Sequence, residues 1–150
     1  MLVKLINSYV TVEEADAYFV NTLQSEEWNK FDTSVKEKAL ITATRQIDRL
    51  HFSSRKLDLY QNLEFPRVDS ALPFTDGIPQ AVVYAVCEQA LFVLKGGSKR
   101  QELQKQGVKS YSLGDLSETF VDNLSPAEKT ICPEALSYLR RYLLGSVAIC

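Results

Sequence analysis

The sequence holds one histidine and three cysteines, and neither type is grouped. His51 has no nucleophile suggested beside it, so a structural or surface role is a simpler reading than acid–base catalysis. Cys87, Cys132 and Cys150 show no CxxC spacing and no nearby histidine, which argues against a zinc site. Their odd number argues against a disulfide scaffold and suggests a reducing compartment. Cys87, in an apolar run, reads as a small buried side chain. There is no glycine-rich nucleotide motif, and Asp69 and Asp76 do not follow a calcium-loop pattern. Glu13 with Glu14, and Glu26 with Glu27, point apart on a helix and make poor carboxylate pairs. The chain is therefore expected to act without catalysis, metal or cofactor.

Positive charge is not in excess either. Seventeen Lys and Arg against nineteen Asp and Glu leave a net charge of −2, and the pI is near 5.5. Such a balance gives no general pull toward nucleic acid. Lys95, Lys99, Arg100, Lys105 and Lys109, opposed by Glu102 alone, are the candidate DNA contacts, although so short a run is usually a solvated linker. No uncharged apolar stretch reaches the roughly 18 residues a membrane span needs. The apolar run in MLVKLINSY is too short for a secretory signal. One domain, 1–150, is the simplest organisation for this length.

What is present is helical periodicity. Residues 78–95, IPQAVVYAVCEQALFVLK, are long enough for about 27 Å of helix. Pro79 suits the first turn, and Gly96 and Gly97 end the helix. Gln80, Tyr84 and Glu88 form one narrow polar stripe, and nearly everything else is apolar, so this reads as the central helix of a small bundle. Gln89 lies opposite the stripe. It is expected to be buried or at a subunit contact, and to need a hydrogen-bond partner. Thr11 with Glu14 fits a capping box for a helix over 12–23, striped by Val12, Ala15, Phe19 and Leu23. Ser34 with Glu37 suggests a second, over 35–51, striped by Leu40, Ala43, Thr44, Ile47 and Leu50. Arg45 and Asp48, three apart, could pair across its surface. Residues 1–10 read as an extended arm or a brief strand, and Trp28 and Phe31 as core plugs in a connection.

Residues 52–76 lack either periodicity, and the segment is long for a structureless loop. It either packs through Leu57, Leu59, Tyr60, Leu63, Phe65 and Phe74 or serves a partner. Pro66 biases Phe65 toward an extended backbone. Arg67 is expected to meet an acid or a partner. Residues 107–121 alternate around Gly114 and Asp115, which predicts a β-hairpin with Tyr111, Leu113, Leu116 and Phe120 as interface candidates. It either packs on the helices or adds to strands of a neighbouring subunit. A last helix is expected over 134–144. The fold class is then mainly α: a bundle of about four helices with a β-hairpin inserted before the last.

Several stretches together resemble one phage and prophage family: YVTVEEADAYF at 9–19, EKALITATRQIDRL at 37–50, LEFPR at 63–67, IPQAVVYAVCEQAL at 78–91 and GVKSYSLGDLSETF at 107–120. The family is often labelled DnaT-like single-stranded-DNA-binding protein, and its gene context suggests a head–tail connector, or neck adaptor, of tailed phages. The resemblance implies a ring of identical subunits beneath the portal, in contact with the portal protein and with downstream neck or tail-completion proteins. Double-stranded DNA would pass through without specific binding, and no membrane is involved. It implies a place in the virion neck, and in the host cytoplasm during assembly. A single-stranded-DNA-binding replication accessory protein is the alternative. Arg45, Asp48, Pro66 and Arg67 match recurrent family positions, with structural or interfacial roles implied. Phe52 and Phe65 stand where the family often has tryptophan, which keeps an aromatic plug at each place.

Overall fold

A computed structural model of the chain describes residues 1–68, 77–96, 110–113, 116–119 and 126–144, without the side chains of 110–113, 116–119 and 126–127. Helix α1 (Val12–Phe19) begins where the Thr11 side chain accepts the Glu14 N–H at 3.1 Å, satisfying one of the unpaired amides of the first turn. It ends at Phe19, earlier than the periodicity predicts. Leu23 is consequently fully exposed, and not part of the stripe. Helix α2 (Ser25–Asn29) is a short turn that carries Trp28 into the core. Helix α3 (Thr33–Ile47) starts from Asp32, not from a Ser34 capping box. Helix α4 (Gln80–Leu94) has Pro79 as its N-cap, and Gly96 at φ 86° follows its end. Strands β1 (Ser110–Leu113) and β2 (Leu116–Thr119) pair antiparallel, Ser110 with Thr119 and Leu113 with Leu116. Helices α5 (Pro126–Lys129) and α6 (Pro133–Leu139) and a 3₁₀ turn (Arg140–Tyr142) close the described chain.

The expected architecture needs correction. In place of about four helices with an integral hairpin, the described residues form six helical segments and a 3₁₀ turn, several of them a turn or two long. The two strands pair only with each other in a two-stranded sheet. Among the described side chains the core is built from helix and loop. The arm at 1–10 is not a strand either. Leu5, at φ 67°, turns the chain back so that its N–H reaches the Ser8 carbonyl at 2.8 Å, and Tyr9 and Val10 are then fully buried.

Four contacts orient the helices. Tyr9 donates its N–H to Thr44 Oγ1 near the end of α3, while Asp16 on α1 meets Lys36 Nζ at 3.0 Å near its start. Helix α1 therefore runs antiparallel to α3. Helix α2 touches the start of α3, where Lys36 Nζ sits 5.2 Å from the Trp28 ring, and the end of α4, where Lys95 and Glu27 pair at 3.0 Å. So α3 and α4 are antiparallel too. Trp28 is locked there: its ring stacks on Phe19 at 4.7 Å and its indole N–H donates to Asp16 at 2.7 Å. Helix α4 packs against α3 and α6, with Val82, Ala85, Val86, Cys87 and Ala90 fully buried. Its polar stripe is covered only in part: Gln80 is exposed, while half-buried Tyr84 lies between Tyr18 at 4.9 Å and Tyr138 at 5.6 Å.

Gln89, fully buried, is the polar node of this packing. Its amide donates to Gln46 Oε1 at 2.6 Å and to the Thr130 carbonyl at 3.0 Å, and its own oxygen accepts the Cys132 N–H at 2.8 Å. One side chain thus joins α3, α4 and the N-terminus of α6. Replacing it with a residue of similar size and no polar atoms leaves the buried Cys132 N–H without its acceptor and removes the bonds to half-buried Gln46 and Thr130. Gln89→Leu is therefore expected to lower unfolding free energy by about 2 kcal/mol or more. Urea denaturation followed by circular dichroism measures this, and wild-type stability in the variant would contradict the assignment.

Candidate functional site

At the end of α3 the chain gathers four elements around one carboxylate. Asp48 is the C-cap of α3, and its side chain turns inward. It accepts the Tyr9 hydroxyl proton through Oδ1 and the Glu64 N–H, at 3.4 Å, through Oδ2. The Tyr9 oxygen in turn accepts the Phe65 N–H at 3.0 Å. Phe65, 1% exposed, stands edge-on to Phe52 at 4.9 Å, Tyr142 at 5.8 Å and Tyr9 at 6.0 Å. The N-terminal arm, α3, the middle loop and the last turn thus meet at one hydrogen-bonded, aromatic-walled point. Burial, only partly offset by the Tyr9 and Glu64 hydrogen bonds, raises the Asp48 carboxyl from 3.8 to about 6. The Tyr9 hydroxyl is pushed well above its ordinary range, by burial first and by the Asp48 charge second.

The middle loop is built, not loose. Arg67 is buried: its Nη1 donates to the Glu64 carboxylate at 2.9 Å and to the Glu64 carbonyl at 3.2 Å, and its Nε donates to Ser54 Oγ at 3.1 Å. The guanidinium also lies over Phe52, 5.5 Å from the ring centre. Gln61 Nε2 ties the Leu63 and Pro66 carbonyls at 2.7 and 2.8 Å, and its Oε1 accepts the Asp58 N–H at 3.1 Å. The Leu57 N–H reaches the Pro66 carbonyl at 3.1 Å, and the Val68 N–H reaches Arg55 at 3.0 Å. The Phe65–Pro66 peptide bond is cis. On this frame Leu57, Leu59 and Tyr60 stand out into solvent, 53%, 79% and 93% exposed. Of the two alternatives for this segment, inward packing holds for Leu63 and Phe65 and not for these three, and Phe74 lies outside the described residues.

Beside that ridge lies an open pocket of about 410 Å³. Helix α3 and its cap contribute Arg45, Asp48 and Arg49, the N-terminal turn Ile6 and Asn7, and the loop Asn62 and Leu63. Arg45 and Arg49 are exposed. Arg45 does not pair with Asp48, contrary to the spacing argument, because the Asp48 carboxylate is taken by Tyr9 and the Glu64 amide.

Of the residues singled out from the sequence, Asp48, Phe65, Pro66 and Arg67 come together at this junction, with Arg45 at its rim. Gln89 belongs to the separate node on α4. Tyr111, Leu113 and Leu116 lie on the paired strands, while Phe120 is outside the described residues. Lys95 is exposed and ion-paired with Glu27, and Lys99, Arg100, Lys105 and Lys109 are outside the described residues. Sequence reasoning did not pick out Tyr9, Glu64 or Gln61. Tyr9 and Asp48 are 39 residues apart, and no local spacing links them. Among the described residues there is no group of His, Cys, Asp and Glu suited to a metal ion, and no helix long and apolar enough to cross a membrane.

A family model described as "Putative DnaT-like ssDNA binding protein" matches residues 2–149. No curated protein and no solved structure matches the chain.

The junction carries a pH dependence of definite sign. The folded state holds the Asp48 proton more tightly than the unfolded chain does, so protonation here favours the fold. That contribution is complete below about pH 4 and is lost as pH rises through about 6. Two units correspond to about 3 kcal/mol at most. The stability difference between wild type and Asp48→Asn is expected to move against the wild type between pH 4 and pH 7. Urea unfolding of both proteins across that range checks it, and a flat difference would show that Asp48 does not titrate there.

Proposed function

The chain belongs to the DnaT-like single-stranded-DNA-binding protein family, and within it we propose a structural, non-catalytic role as a head–tail connector of a tailed phage or prophage. In this reading identical subunits join by one heterologous surface into a ring between portal and tail, in the virion neck. The observation that carries it is the ridge Leu57, Leu59 and Tyr60: large apolar side chains held in solvent by a loop pinned through Arg67, Gln61 and Phe65. A loop that served only its own fold would turn such residues inward. Exposed apolar groups on a fixed frame suit a protein contact, since little ordering entropy remains to oppose association. Near-neutral overall charge suits a channel through which double-stranded DNA slides, because phosphate binding grows with concentrated positive charge.

The family description favours a second reading, a single-stranded-DNA-binding accessory protein. It needs cations and exposed aromatic rings on one face. Tyr60 supplies a ring, but Lys95, the described member of the basic run, is already engaged by Glu27.

Light scattering over a concentration series, with and without oligo-dT, separates the two. The connector reading expects a discrete assembly that ignores oligo-dT, with Leu59→Ser/Tyr60→Ser raising the concentration for half-assembly at least tenfold. The lost burial of two such side chains amounts to a few kcal/mol, and about 1.4 kcal/mol is tenfold. A monomer that binds oligo-dT tightly at physiological salt would replace it with the second reading.

A further inference from the structure

The two ends of α3 differ in chemistry. At its C-terminal end Arg45 and Arg49, one turn apart, line the open pocket, and neither takes part in an ion pair among the described residues. The helix dipole favours cations at this end. It does not explain two of them side by side without an anion, an arrangement that costs a few tenths of a kcal/mol in a lone helix. Asp48, though in the same pocket, spends its carboxylate on Tyr9 and the Glu64 amide. The remaining lining is apolar or amide, from Ile6, Leu63 and Asn62. Such a pocket fits one carboxylate that arrives beside an aliphatic side chain.

The N-terminal end of α3 presents that combination. The α1–α2 turn lies there, because Asp16 and Trp28 both meet Lys36. The turn is held by the Thr22 N–H on the Phe19 carbonyl at 3.0 Å and the Ser25 N–H on Thr22 at 3.3 Å. On it Val20 is 65% exposed and Leu23 fully so. Glu26, three residues on, is exposed, and it is left without a cation while its neighbour Glu27 takes Lys95. From Lys36 to Ile47 the helix axis runs about 17 Å, so a chain does not fill its own pocket with its own turn.

We infer that the Leu23–Glu26 turn of one copy docks into the Arg45–Arg49 pocket of the next, the Glu26 carboxylate between the two guanidinium groups and Leu23 against Ile6 and Leu63. The contact is heterologous, as a ring requires, and it rests on the connector reading while naming its surface. A DNA phosphate fits the pocket less well. No aromatic side chain lines it for base stacking, and among the described residues its lining holds no cation beyond Arg45 and Arg49 to continue it into a track.

Sedimentation velocity across a concentration series tests this on the full chain, with circular dichroism to confirm folding. All the altered side chains are exposed, so the variants should fold. Arg45→Glu/Arg49→Glu, Glu26→Lys and Leu23→Ser are each expected to weaken self-association at least tenfold. An equimolar mixture of the first two is expected to regain assembly with the copies alternating, because Glu26 of one meets the intact arginines of the other and the introduced lysine meets the introduced glutamates. If all three variants assemble as the wild type does, the inference falls while the connector reading stands. A wild type that stays monomeric throughout sinks both. If Arg45→Glu/Arg49→Glu leaves association intact and abolishes oligo-dT binding, the pocket is a phosphate site and the inference is overturned.

Discussion

The structure depends on one oxygen atom. The Tyr9 hydroxyl gives its proton to Asp48 and receives the Phe65 amide proton, so it sits between the end of a helix and the middle of a loop. Neither neighbour is satisfied without it. Asp48 would hold a buried negative charge with a single weak amide contact, and Phe65 would bury an unpaired N–H. With it in place the aromatic rings of Phe52, Phe65 and Tyr142 close edge to face beside the junction. Everything further out on the loop, including the buried guanidinium of Arg67, is positioned by that closure. The Gln89 node plays the matching part between α3, α4 and the residues that lead into α6.

The long helices and their buried faces were legible in the chain, because apolar residues at helical spacing have one economical arrangement. The need for a partner at Gln89 was legible too, since a lone amide in an apolar helix must be satisfied. The ion pair of Arg67 with Glu64 followed from ordinary arginine chemistry. What could not be read is instructive. Leu23, Leu57, Leu59 and Tyr60 look like core residues by type, yet all four face solvent. Hydropathy reports that a side chain prefers burial, and it does not say whether its own chain or another supplies it. The Arg45–Asp48 pairing failed for a related reason. Local spacing weighs neighbours on one helix, and the stronger partner for Asp48 came from 39 residues away.

These exposed apolar groups are not scattered. They fall at two places, the turn at the start of α3 and the loop beside its end, each braced by backbone or side-chain hydrogen bonds. A small domain with distinct chemistry at its two ends has a built-in direction. Directional subunits form chains or rings, whereas a self-complementary face would stop at a pair. The described surface offers this polarity, and the family match covers almost the whole chain.

The single tryptophan has a further consequence. Trp28 is fully buried, stacked on Phe19, hydrogen-bonded to Asp16 and overlain by Lys36, all at the start of α3. The aromatic junction at the other end contains only phenylalanine and tyrosine. The protein therefore carries its own spectroscopic label for one end of the bundle. Indole emission reports the packing around Trp28, so that end can be watched without attaching a dye, whereas the seven tyrosines are spread along the chain and their summed absorbance reports no single place.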